Sequence, residues 1–286
     1  FKEKRNISHT KIENTRILKL ARKTKKQPVT HICLSPDASK IAYVTNKSGK
    51  ISIYITSLAR NKHKKIYTTG SVIEQIIDYT YPSIAWHPRG ESCTFFVEKK
   101  GTIYMYTYII QDKELIDREF HYFEKVLDFE YAKDGNTIVF SGVKNGQTDV
   151  YTYNLQTYAH TQLTNDIADD RYPIFIQNDS KILFSSNRNS PLPNQIRDSA
   201  RTTYDLYILP KTKNAEVQRL ENTVFDNEYI PREFTPGSYM YISDKNGIQN
   251  LYRTTPDSSI HFIDTTIHYR YFHKTHPITN SANNIV

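Results

Sequence analysis

Two landmarks recur along this chain in fixed register, and together they restrict the possible folds more than any other feature. The first is a turn ahead of an apolar run. Its copies are Leu34-Ser35-Pro36-Asp37, Trp86-His87-Pro88-Arg89-Gly90, Tyr131-Ala132-Lys133-Asp134-Gly135, Ile176-Gln177-Asn178-Asp179 and Phe234-Thr235-Pro236-Gly237. The third turn residue falls at 36, 88, 133, 178 and 236, in steps of 52, 45, 45 and 58. The second landmark is a glycine, Gly49, Gly101, Gly146 or Gly247, placed 13, 13, 13 and 11 residues after the first.

The third copy, 131–153, shows why each repeat reads as sheet. Lys133-Asp134-Gly135 is turn chemistry, 137–143 is an apolar strand, and Asn145-Gly146 suits a type I′ hairpin, which needs positive φ at both central residues. Beyond the hairpin, Val150, Thr152 and Asn154 alternate with Tyr151, Tyr153 and Leu155, the period of a strand. Each repeat supplies four short strands; in the fifth they are expected at 228–234, 239–243, 249–254 and 261–265. Four strands every 45 or so residues predict an all-β protein, a β-propeller of four-stranded antiparallel blades. The 22 Tyr and 13 Phe then have a place, because blades bury sheet face on sheet face.

Three segments follow: a basic N-terminal stretch, 1–27, as linker or closing strand; the blades, 28–266; and 267–286, the start of a further blade or a tail. Five repeats and a partial one imply six or more blades in the complete ring, or five closed by an N-terminal strand at 16–21. The formal charge of +8 is concentrated in 2–26 and 60–65, a solvated basic face or a site for polyanions. Cys33 and Cys93 fall in strands of different repeats and read as small unbridged core residues. No apolar run is long enough for a membrane helix. The chain begins with Phe1, as expected of a piece of a longer protein.

The repeats resemble a known family. SPDASKIAYVTN followed by SGKISIY is similar to the PD40 repeat of TolB-like propellers, whose usual form is SPDG-x-x-IAF. YPSIAWHPRGE, YAKDGNTIVFSG and DDRYPIFIQNDSKILFSSNR with YDLYIL are similar to later copies, the FSSNR and YDLY pairing above all. DYTYPSIAWHPRG, VLDFEYAKDG and NGQTDVYTYN also resemble the propeller region of large Bacteroidetes envelope proteins. The resemblance implies a non-catalytic, protein-binding module that is periplasmic, with peripheral association with the outer membrane or membership of a transport complex. It equally allows the propeller of a prolyl-oligopeptidase-type enzyme, in which a hydrolase domain lies elsewhere. Lys133-Asp134-Gly135, Asn178-Asp179-Ser180 and Pro236-Gly237 depart from the family turn while keeping turn chemistry.

The residues themselves carry no catalytic motif. There is no G-x-S-x-G, H-E-x-x-H, G-x-x-x-x-G-K-[ST] or G-x-G-x-x-G. His273 and His276 lack the carboxylate or thiol partners of a zinc site and read as an exposed polar segment. Neither a metal nor a cofactor is expected. Asp37, Asp134 and Asp179 recur at one turn, where aspartate bonds backbone N–H groups; calcium ligation is the sharper alternative. Asp78, Asp170 and Asp226 recur ahead of the innermost strands, where aspartate again fixes a turn; an acidic ring at a channel mouth, able to bind a cation or a basic peptide, is the sharper alternative. In the fourth repeat the tight hairpin gives way to RNSPLPNQIRDSAR, and long loops inside repeat arrays are commonly functional or disordered. Arg188, Arg197, Asp198 and Arg201 of this loop are therefore the candidate partner contacts, beside the three mouth aspartates.

These readings converge on a protein-interaction scaffold of the bacterial cell envelope that binds other envelope proteins and no nucleic acid. The rival is a regulatory or gating propeller of a peptidase whose catalytic domain lies outside these residues.

Overall fold

The computed structural model describes residues 28–60, 62–71, 81–188, 203–213, 215–220, 223 and 225–281. They form twenty strands in five four-stranded antiparallel sheets, with no helix among the described residues. The first sheet holds Val29–Leu34, Lys40–Lys47, Lys50–Ser57 and Lys62–Thr69 (β1–β4). The second holds Ile84–Trp86, Ser92–Lys99, Thr102–Ile109 and Leu115–Glu119 (β5–β8). The third holds Lys125–Tyr131, Thr137–Lys144, Gln147–Asn154 and His160–Gln162 (β9–β12). The fourth holds Asp170–Ile176, Lys181–Ser186, Asp205–Pro210 and Gln218–Arg219 (β13–β16). The fifth holds Glu228–Thr235, Ser238–Ser243, Asn250–Ile263 and Ile267–Pro277 (β17–β20). Within every sheet the strands neighbour one another in chain order.

The chain divides into two compact units, one ending at Gln162 and the other starting at Leu163. In the first, β1 packs on β5 and β5 on β9; in the second, β13 packs on β17. The apolar faces between sheets make the cores. Ala42, Val44, Ile53 and Ile55 meet Trp86, Phe95, Val97 and Tyr106 between the first two sheets. Phe96, Met105 and Phe120 meet Phe129, Phe140, Tyr151 and Tyr153 between the second and third. Ile174, Ile176, Leu183 and Leu206 meet Tyr239, Tyr241 and Tyr252 between the fourth and fifth. The alternate aromatics are core. Cys93 is buried in β6, Cys33 lies half-buried in β1, and they are not bridged.

Turn chemistry sets the register. The two-residue hairpins Ser48-Gly49, Lys100-Gly101 and Asn145-Gly146 have positive φ at both positions, the type I′ geometry whose twist matches the strands. Asp134 accepts from the N–H groups of Asn136 (2.7 Å) and Thr137 (2.9 Å). Asp37 accepts from the Ser35 hydroxyl (2.6 Å), the Ser39 hydroxyl (2.6 Å) and the Ser39 N–H (3.1 Å). These bonds, the Ser35 hydroxyl first, hold the Asp37 carboxyl well below the usual carboxylate range. In both turns the carboxylate is occupied by donors of its own turn.

The fifth sheet departs from expectation. Its outer strand is Ile267–Pro277 rather than 261–265, and β19 runs to Ile263 rather than ending at 254. Residues 267–277 are therefore the edge of the fifth blade, not the opening of another. Apolar and polar residues alternate on both sides of the Asp264-Thr265-Thr266 turn, over 260–262 and 267–271, and the hairpin built on that turn runs back through 255–259 into the sheet. Gly247 lies in the longer loop that joins Ser243 to Asn250, not in a two-residue turn. The strand expected at 16–21 lies outside the described residues.

Candidate functional site

The loop of the fourth blade was expected to raise Arg188 toward a partner. Arg188 instead folds back into the sheet, 4 % exposed. One guanidinium nitrogen donates to both oxygens of Asp170 at 2.7 Å, and Asp170 is fully buried. The other terminal nitrogen meets Asp166 at 3.0 Å, and Nε donates to the Ser186 hydroxyl at 2.9 Å. The guanidinium lies over the rings of Phe184 and Tyr207, and the Tyr207 hydroxyl donates to the Arg188 carbonyl at 2.9 Å. Burial pushes the Asp170 carboxyl up, and the Arg188 charge pulls it back.

The correction has a physical reason. A charge inside a sheet is tolerated only when paired and hydrogen-bonded, and Asp170 at the head of β13 provides that pairing. Arg188 and Asp170 are therefore fixtures of the blade, not contacts offered at its surface. Arg197, Asp198, Arg201 and Asp78 lie outside the described residues.

Asp226 is also displaced from its expected place. The fifth-blade equivalent of Asp170 is Glu228: Asp170 pairs with Ser186 and Glu228 with Ser243, each at the head of its first strand. The shared signal is the proline three positions on, in Asp170-Arg171-Tyr172-Pro173 and Glu228-Tyr229-Ile230-Pro231. Glu228 is buried and accepts from the Leu206 N–H at 3.1 Å. Asp226 stands half-buried in the approach to β17. Among the described residues, Asp170 is thus buried and Asp226 half-buried.

The same two tetrapeptides build something else. Tyr172 and Ile230, each preceding a proline, have φ of 54° and 51°. The ladder slips beside both, between Arg171 and Ile174 and between Tyr229 and Arg232. Positive φ at a β-branched residue is an outlier, and such positions cost roughly 1–3 kcal/mol each. Bulges of this kind re-aim side chains. Here they open a pocket of about 410 Å³ lined by Arg171, Tyr172, Tyr204, Tyr229, Ile230, Ile242 and Gln249.

Its walls are aromatic. The Tyr229 ring lies 5.4 Å from Tyr204 and 6.3 Å, edge-on, from Tyr172. The Arg171 guanidinium sits 4.9 Å over the Tyr172 ring. Behind them Asn227 acts as a bracket. Its Oδ1 accepts from the Tyr229 hydroxyl (2.8 Å) and the Tyr204 N–H (3.2 Å), and its own N–H groups donate to Asp244 at 2.6 and 2.7 Å. Burial, reinforced by Asp244, pushes the Tyr229 phenol up to about 12; burial also raises Tyr204. At neutral pH both are neutral phenols. The pocket therefore offers flat apolar faces, hydroxyl groups and one guanidinium, a chemistry of binding.

None of the pocket residues stands out in the sequence, because tyrosine is spread over every blade. The available signal was the residue-before-proline pair in equivalent positions of two repeats.

No family model and no curated protein matches the chain. Its fold is similar to solved structures. It aligns with TolB from Acinetobacter baumannii at a TM-score of 0.59 and 19% identity, over 80% of this chain and 52% of that one. The chain thus spans about half the length of that TolB. A protein of Agrobacterium tumefaciens assigned as TolB gives a TM-score of 0.59 at 12% identity, over 89% of this chain and 91% of that one. The β-propeller domain of the Trilobed protease from Pyrococcus furiosus gives 0.52 at 15%, over 88% and 71%. The fold is that of a TolB-like β-propeller.

Proposed function

We propose that this chain is a non-catalytic protein-interaction scaffold of the bacterial cell envelope, periplasmic and peripheral to the outer membrane. Its partners are other envelope proteins. The observation that carries the reading is the Arg171–Tyr172–Tyr204–Tyr229 pocket. Tyrosine and arginine dominate binding hot spots, because they bring large contact area with few rotatable bonds and keep a polar tip. Two strained bulges and the Asn227 bracket hold these side chains in place before a ligand arrives, which lowers the entropy lost on binding. Such a pocket suits an extended peptide segment that lays an aliphatic or aromatic side chain among the rings.

The likeness to two TolB structures supports the envelope setting, and the likeness to a protease propeller supports a second reading. In the latter, the pocket faces a hydrolase domain of the same polypeptide and the propeller governs access to it.

One experiment tests both readings. A photo-crosslinking amino acid replaces Tyr204 in native cell envelopes, and the adducts are identified by mass spectrometry. The scaffold reading expects one dominant envelope protein, absent when the probe stands at Asp134 and reduced by Tyr229→Ala. Adducts confined to a hydrolase domain of the same polypeptide would overturn it in favour of the gating reading. No specific adduct would overturn both.

A further inference from the structure

Past its pairing with β18, which ends where Thr254 faces Tyr239, β19 continues beside β20 alone. Residues 255–274 are thus a two-stranded ribbon, about 30 Å long at the strand rise. A two-stranded ribbon is marginal by itself in water. This one also exposes its apolar side chains: Ile260, Phe262, Ile263, Ile267, Tyr269, Tyr271 and Phe272 range from 41% exposed at Phe272 to 79% at Tyr271.

The register sorts these residues by face. Directly paired residues share a face and successive pairs alternate. Ile260 with Tyr269, Ser258 with Tyr271 and Pro256 with His273 lie on one side; Ser259 with Arg270, Asp257 with Phe272 and Thr255 with Lys274 lie on the other. The outer strand β20 therefore alternates. Ile267, Tyr269 and Tyr271 point one way, and His268, Arg270, Phe272 and Lys274 the other. β20 contains no Asp or Glu, and among the described residues no strand lies on its outer side. At the base of the ribbon, the apolar face runs into a cavity of about 270 Å³ shared by Pro256, Tyr271 and His273 with Ile208, Arg219 and Leu220 of the fourth blade.

We infer that the β20 edge is a docking site for an extended segment of a partner protein in which apolar and acidic residues alternate. Strand addition uses the backbone groups of the open edge for affinity and the alternating side chains for specificity. Apolar residues of the added strand cover Ile267, Tyr269 and Tyr271, and its carboxylates stand beside Arg270 and Lys274. At roughly 200 Å² per large apolar side chain, Ile267, Tyr269 and Tyr271 expose on the order of 350 Å² to the added strand, and backbone pairing along the edge adds to it. Charge argues against a second copy as the occupant. Antiparallel pairing of β20 with itself sets Arg270 and Lys274 beside like charges, and the acid of that face, Asp257, lies one strand further in, on β19. This docking edge is independent of the tyrosine pocket and does not rest on its function.

The test uses fluorescence anisotropy with a short labelled peptide alternating glutamate with isoleucine and tyrosine, and a counterpart in which lysine replaces glutamate. The expected result is saturable binding of the acidic peptide, about tenfold tighter than the lysine peptide. The double variant R270E/K274E, both sites exposed, should reverse that preference, and Tyr271→Ser should weaken both peptides. Absent binding, equal binding of both peptides, or a preference unchanged in R270E/K274E would overturn the inference. So would a concentration-dependent dimer that shields 255–274 from proteolysis, which would make a second copy the occupant.

Discussion

Arg188 and Asp170 are joined inside the fourth blade by two 2.7 Å hydrogen bonds from a single guanidinium nitrogen, with 4 % and 0 % of the two residues exposed. The pair ties the end of β14 to the head of β13, one strand position from Arg171 of the tyrosine pocket. Asp166 and Ser186 add to it, so each of the three guanidinium nitrogens has an acceptor.

Breaking this pair from one side leaves a buried charge unpaired. Arg188→Leu is expected to lower the unfolding free energy by about 3–5 kcal/mol. Arg188→Lys should recover only part of it, since an ammonium cannot reach Asp170, Asp166 and Ser186 together. Arg188→Leu with Asp170→Leu should lose less than the two single losses combined. Urea denaturation of the parent, the two single leucine variants, the lysine variant and the double variant measures this. Losses that simply add would show that the pair is not coupled.

The sequence made the blades legible because the repeat is encoded in turns, and turn residues act locally. Ser48-Gly49, Lys100-Gly101 and Asn145-Gly146 fix hairpins whatever surrounds them. The FSSNR and YDLY signature was legible too, yet its meaning was hidden. Arg188 reads as a loop cation in one dimension, and only the fold brings Asp170 to it. The tyrosine pocket was illegible for a similar reason. Tyr172 and Tyr229 look like every other strand tyrosine until a backbone slip at Arg171/Ile174 and Tyr229/Arg232 turns them aside. The ribbon was missed because the fifth repeat was expected to keep the strand lengths of the others, whereas alternation at 260–262 and 267–271 flanks a further turn, Asp264-Thr265-Thr266.

The recurring turn makes opposite predictions at two of its copies. Ala38 donates its N–H to the Ser35 carbonyl at 2.8 Å, as Gly135 does to Ala132 at 3.0 Å, and the two have φ of 53° and 71°. Ala38 is exposed and bears the strain of a Cβ in the left-handed region, so Ala38→Gly should stabilise the protein by about 1 kcal/mol. Gly135→Ala adds the same strain and drives its Cβ into the His87 ring, for a loss of about 2–3 kcal/mol. Replacing His87 by Ala in the Gly135→Ala protein should return the steric part and leave the backbone part. Thermal and chemical denaturation read all three. A destabilising Ala38→Gly would contradict the turn geometry.

Alkaline titration offers a check on the buried Tyr131 and Tyr151 and the half-buried Tyr229. Burial leads the rise of the Tyr131, Tyr151 and Tyr229 phenols to about 12, against an ordinary value of 10.0; a hydrogen bond from Thr94 partly opposes it at Tyr131. Between pH 10 and 12 the folded chain therefore holds more protons than the unfolded chain, in which these phenols ionise near 10. Stability contributed by the neutral phenols is fully present below pH 10 and is lost as the pH rises through 12. Absorbance at 295 nm should show exposed tyrosines such as Tyr122 and Tyr158 ionising first, and a buried class ionising only as the protein unfolds. Tyr131→Phe should flatten the fall of unfolding free energy across this window by up to about 1.4 kcal/mol per pH unit, whatever it does to stability at neutral pH. If every tyrosine ionised near pH 10 with the near-ultraviolet dichroism unchanged, the sheet-on-sheet burial that defines these blades would be wrong.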